Sequence, residues 1–147
     1  MSRSGFSEEC DGSYGINPWP AIIARAVQGR PGTKFLRELL AALHAMPVKE
    51  LVAEALVEPS GAACALGSVA LARRLDVSAL DPEDYEAVAK AFCITPTLAR
   101  EIAFINDDDF RNFSRSETPA ERWTRVRGWV VKQLELAAIR EDKLKKA

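Results

Sequence analysis

Few residues in this chain are of a type to do chemistry. It holds three cysteines (Cys10, Cys64, Cys93) and one histidine, His44. The cysteines lack C-x-x-C spacing, and one histidine excludes a His-rich metal site. A His44–Cys64 pair is a conceivable nucleophile and base, but nothing in the sequence brings the two together. A packed thiol is the simpler reading of Cys64. Asn106-Asp107-Asp108-Asp109 offers oxygens to a hard cation, yet it lacks the glycine and the twelfth-position glutamate of a calcium loop. Neighbouring carboxylates also point apart, so this run reads as a solvated loop. Gly29-Arg30-Pro31-Gly32-Thr33-Lys34 looks superficially like a phosphate loop. Its spacing is too short, Thr precedes Lys, and no strand precedes it. An anion at that helix start, helped by Arg30 and Lys34, is the most it offers. No catalytic residue, metal or cofactor is therefore expected, and the chain is read as a non-enzyme.

One segment has the outline of a nucleic-acid reader. From Val88 to Ile102, Ala89, Cys93 at the turn, Thr95-Pro96, Ala99 and Ile102 fit two helices meeting at a sharp corner. The second helix would present Thr97, Arg100 and Glu101. Only Arg100 can pair with phosphate or guanine, and Asp107–Asp109 would repel DNA. A helix-turn-helix DNA-binding regulator is thus the second reading, behind an ordinary helical corner.

The elements that must position these residues are helical. Trp19, Ile22, Ile23, Ala26 and Val27 share one helix face, as do Phe35, Leu36, Leu39, Leu40, Leu43 and Met46. Val48, Leu51, Val52, Ala55 and Leu56 repeat the pattern and predict a third helix after Pro47. A small-residue helix is expected over about Ala62–Leu75. Gly67 inside it implies close approach of another backbone. Asp81-Pro82, Thr95-Pro96 and Thr118-Pro119-Ala120-Glu121 mark three further helix starts. The last helix presents Trp123, Val126, Val130, Leu134 and Ala137 and runs to about Lys143. The expectation is an all-α fold: a compact bundle of about seven helices over residues 18–140. A Gly/Ser-rich flexible arm, 1–17, precedes it, and a basic tail, 141–147, follows the long C-terminal helix. The arm has no apolar core like that of a signal peptide, and no run is long and apolar enough to span a membrane.

The 147 residues carry 20 Lys+Arg and 21 Asp+Glu, a net charge of −1. Such a balance argues against a general nucleic-acid coat protein. The balance is a cancellation, however. Residues 1–121 hold 12 cations and 18 anions, and residues 122–147 hold 8 and 3. Charge separation of this kind either steers association with a charged partner or is satisfied internally by the last helix packing across the acidic ones. The first reading marks an acidic partner-binding face at Asp84, Glu86, Asp107, Asp108 and Asp109. Aromatic and basic residues suggest a second surface: Phe110, Arg111, Phe113 and Arg115 in the loop, then Arg125 and Trp129 on the last helix.

The stretches Gly32–Leu43, Ala45-Met46-Pro47, Cys64-Ala65-Leu66-Gly67, Asn106-Asp107 and Thr118-Pro119-Ala120-Glu121-Arg122-Trp123, in that order, resemble a group of small proteins encoded by temperate phages and prophages. The likeness covers about Trp19–Leu134. It implies a phage setting and carries over no catalytic residues. With the charge pattern, it leads to an expected phage accessory protein in the bacterial host's cytoplasm. Its expected partner is a host protein or nucleoprotein complex, for example a CRISPR defence complex that it inhibits. Homo-oligomerisation is an additional possibility, and nucleic acid is a less favoured partner.

Overall fold

The computed structural model describes residues 19–107 and 117–146. The arm expected at 1–17, the side chain of Trp19 and residues 108–116 lie outside them. Among the described residues six helices are present: α1 (Trp19–Gln28), α2 (Arg30–Ala45), α3 (Ala65–Arg73), α4 (Tyr85–Phe92), α5 (Pro96–Asp107) and α6 (Pro119–Lys146). Among the described residues the only β pairing is an isolated bridge between Val57 and Ala63. No helix among the described residues is long and apolar enough to cross a membrane.

One expected helix is absent, so the described residues hold six helices and not seven. Residues 46–64 are irregular, although Leu51 and Leu56 are buried as a helical stripe would require. Isolated short helices are marginal, and β-branched residues such as Val48 and Val52 weaken them further. Backbone bonds to distant segments outcompete the helix here. Leu51 N donates to Pro119 O at 3.0 Å, Val52 N to Ala63 O at 3.0 Å and Cys64 N to Leu56 O at 3.0 Å. Glu54 also sits at φ 65°, a left-handed position that no α-helix contains.

The close approach expected at Gly67 is real. Gly67 lies in the first turn of α3, and a Cβ there would fall on the Leu56 carbonyl oxygen, well inside 3.0 Å. Gly32 plays the same role at the α1–α2 joint, where the Ala26 and Val27 carbonyls occupy the space of its missing side chain. Gly32 and Thr33 are therefore buried in a helix–helix contact. The turn that looks like a phosphate loop is first of all a corner.

Helix ends follow the sequence signals closely. Glu121 N donates to Thr118 Oγ1 and Thr118 N to Glu121 Oε1, both at 3.1 Å, a reciprocal capping box for α6. Leu98 N donates to Thr95 Oγ1 at 3.2 Å, capping α5. At α4 the cap is Asp84, not Asp81; Asp81 instead closes a turn onto Glu83 N. α6 continues through the expected tail to Lys146.

Leu36, Leu39, Leu43, Leu66, Val69, Val88, Phe92, Leu98, Ile102, Val126 and Val130 fill the core. Arg73 fastens three helices around it. Its guanidinium grips Glu38 of α2 through two bonds of 2.6 Å and donates to Phe92 O of α4 at 3.0 Å. This contact holds the Glu38 carboxyl below its ordinary range.

Candidate functional site

The expected catalytic pair does not assemble. Cys64 is buried, and its sulfur accepts from Gly67 N at 3.4 Å as the cap of α3. His44 is exposed at the end of α2. There its Nε2 accepts from Arg127 Nε at 2.8 Å, and its ring lies 6.2 Å from that of Trp123. Among the described residues, no group of three or more His, Cys, Asp or Glu is placed to hold a metal ion.

The α4–α5 corner has the local shape read from the sequence. Cys93 caps α4 in the left-handed conformation at φ 60°, and α5 follows at Pro96. The second helix is not free, however. α5 packs against α1, α3, α4 and α6. The Arg100 guanidinium lies 5.4 Å from the centre of the Tyr85 ring, and both Arg100 and Glu101 are half-buried. A recognition helix must lay its outer face in a groove, and here neighbouring helices cover much of that face.

The expected acidic face divides in two. Asp84 and Glu86 are exposed at the start of α4, where they join Asp76, Asp81 and Glu83 in one acidic segment. None of these five enters an ion pair among the described residues. Three are fixed by backbone N–H groups: Asp76 by Ser78 at 2.9 Å, Asp81 by Glu83 at 2.9 Å and Asp84 by Ala87 at 3.2 Å. Hydrogen bonds from Ser78 hold the Asp76 carboxyl below its ordinary range. These charges are displayed on short, locked turns.

Asp107 belongs elsewhere. It is half-buried, and its Oδ1 accepts from Glu54 N at 3.2 Å and from Asn106 Nδ2 at 2.7 Å. Asp108, Asp109, Phe110, Arg111, Phe113 and Arg115 lie outside the described residues. Asp107 is part of a hub that the sequence does not announce. Asn106, 1% exposed, accepts from Ala65 N at 3.0 Å and donates to Val52 O at 2.9 Å. Its own carbonyl accepts from Arg122 Nε at 3.0 Å and Arg125 Nη2 at 3.3 Å, while Arg125 Nη1 also donates to Ile105 O. Two α6 cations thus cap the C-terminal end of α5, where the helix dipole is negative. Glu117 neutralises Arg125 through bonds of 2.6 and 2.8 Å. Arg125, expected as an exposed contact, is committed to this internal network, with its side chain 12% exposed. The only signal for the hub is the Arg122/Arg125 spacing behind a capping box, and that does not name its targets.

Trp129, also expected at an interface, is half-buried against the core. It lines a cavity of about 300 Å³ with Ile23, Val27, Gln28, Glu101 and Gln133. Glu101 Oε2 is sealed from solvent and has no hydrogen-bond partner among the described residues. No other charged side chain lines the described cavity wall. Burial therefore pushes the Glu101 carboxyl up from its ordinary value of 4.5 to about 7. The proton is held more tightly in the folded chain than in the unfolded one. Glu101's contribution to stability is therefore fully present below pH 4.5, is lost as pH rises through about 7, and stays lost above it. Glu101→Gln removes that loss. It should stabilise the fold by about 2 kcal/mol at pH 8, after allowance for partial exposure, and by almost nothing at pH 4. Urea unfolding of both chains at the two pH values checks this; a gain of equal size at both refutes it.

No family model, no curated protein and no solved structure matches the chain.

Proposed function

We propose that this chain is a non-enzymatic phage accessory protein that acts by occupying a host macromolecular complex. Its best-fitting target is a nucleic-acid-dependent defence complex such as a CRISPR effector, met in the cytoplasm of the host. The observation that carries this reading is the exposed segment Asp76–Glu86, with five carboxylates, three of them pinned by backbone N–H groups. A channel built to hold a nucleic-acid backbone is lined with cations and recognises fixed negative charge. Pre-ordered carboxylates enter it with little further loss of side-chain freedom. The likeness of the Gly32–Leu43 and Thr118–Trp123 stretches to small phage proteins supplies the phage setting. The packing of α5 weighs against the regulator reading, because Arg100 is held over Tyr85.

The test is capture on immobilised protein from host lysate, followed by a target-binding assay with the captured complex. A stoichiometric nucleic-acid-binding complex should be recovered, and the chain should compete with its nucleic-acid substrate. Glu83→Lys with Glu86→Lys reverses two exposed charges without touching the Asp84 cap. It should weaken competition by about tenfold or more while leaving the melting temperature within a few degrees. Recovery of no stoichiometric partner, or undiminished competition by the reversed variant, refutes the proposal.

A further inference from the structure

The C-terminal third of α6 crosses the start of α2 and leaves a cleft of about 450 Å³ between them. Its rim carries Arg30 and Arg37 from α2 and Arg140 and Lys145 from α6, against a single acid among the described residues, Glu141. Lys145 lies 3.9 Å from Glu141, while Arg30 and Arg37 are exposed and enter no ion pair among the described residues. The α6 wall of the cleft is apolar where Ala137, Ala138 and Leu144 face it. Leu144 is 70% exposed, the most of any large apolar side chain described.

We propose that this cleft is a docking site for a short acidic peptide segment carrying apolar side chains, supplied by a partner protein. The occupant follows from two complementary features. Arg30 and Arg37, which enter no ion pair among the described residues, call for carboxylates, and the aliphatic wall calls for aliphatic side chains. A nucleic-acid strand fits less well. Among the described lining residues no aromatic ring offers a stacking platform, and four cations are few for a long polyanion meeting a chain of net charge −1. This surface does not involve the Asp76–Glu86 segment, so it holds or fails independently of the function proposed above.

The experiment uses the full chain and three labelled probes of equal charge: a short peptide mixing Glu and Leu, a peptide of Glu alone, and a single-stranded oligonucleotide. Fluorescence polarisation should show the Glu/Leu peptide binding at least about tenfold more tightly than either other probe, as burial of one leucine predicts. Amide shifts on peptide addition should centre on Ala137 and Ala138. Arg37→Glu with Arg140→Glu should weaken peptide binding by about tenfold or more, with circular dichroism confirming an unchanged helix content. The shift map of the unmodified chain decides the matter if that variant fails to fold. Several results overturn the proposal: no peptide binding, no preference for leucine, tighter binding of the oligonucleotide, shifts centred elsewhere, or self-association through the cleft with no peptide bound.

Discussion

Gly67→Ala should lower the melting temperature by on the order of 10 °C, a loss of about 3 kcal/mol. One methyl group has this effect because of what it meets. The Leu56 carbonyl occupies the space of the missing side chain, with the Ala63 Cβ 3.0 Å away on another side. A carbonyl cannot rotate aside as a lysine tip can. It belongs to a peptide plane whose oxygen accepts from Cys64 N at 3.0 Å, and Cys64 is the cap of α3. Moving it would break that bond and displace Leu56, which is 4% exposed. Gly128→Ala is the built-in control. Gly128 is exposed within α6 and a Cβ there meets nothing within 4 Å. That variant should gain up to about 1 kcal/mol from helix propensity alone. Thermal melts of the two variants should move in opposite directions. A rise in both would mean that propensity and not the Leu56 carbonyl governs Gly67.

Gly67 also shows how far the sequence can be read. A glycine in a helical pattern implies a close neighbour, but not which one. Its neighbour is Leu56, in the segment whose apolar spacing predicts a helix that does not form. Periodicity records which residues are buried, and Leu51 and Leu56 are; it does not record which backbone delivers them there. Caps were legible at Thr95 and Thr118 because a cap is made within one turn of chain. The acidic segment was legible at Asp84 and Glu86, since exposed charge near a helix start needs no distant partner. The half-burial of Asp107, Arg125 and Trp129 was not legible, for the opposite reason. Each is turned inward by residues far away in sequence, such as Glu54 for Asp107. Glu101 shows the same limit. Its raised carboxyl depends on α1 and α6 closing over α5, which no pattern within α5 can reveal.

The second large effect is expected at Asn106. Asn106→Ala should cost about 3 kcal/mol, because it strands two backbone groups at once, the buried Ala65 N–H and the half-buried Val52 C=O. Asn106→Asp separates geometry from charge. The new carboxylate still accepts from Ala65 N, but it places an oxygen where Val52 O requires a donor, beside the carboxylate of Asp107. Burial and that neighbour raise its pKa, so the folded chain binds the proton more tightly than the unfolded chain does. The variant should therefore be weakest at neutral pH and should recover as pH falls and the carboxyl regains a donor. Asn106→Ala, with nothing to protonate, should show no such recovery relative to the unmodified chain. Hydrogen exchange at the Ala65 amide adds a local measure, since that N–H loses its acceptor in the alanine variant and keeps it in the aspartate one. Faster exchange in the alanine variant alone, together with acid recovery in the aspartate variant alone, would identify the carboxamide as the tie between α5, the start of α3 and the 51–64 segment. Equal loss in both variants at every pH would mean that the space filled at position 106 matters and its hydrogen bonds do not.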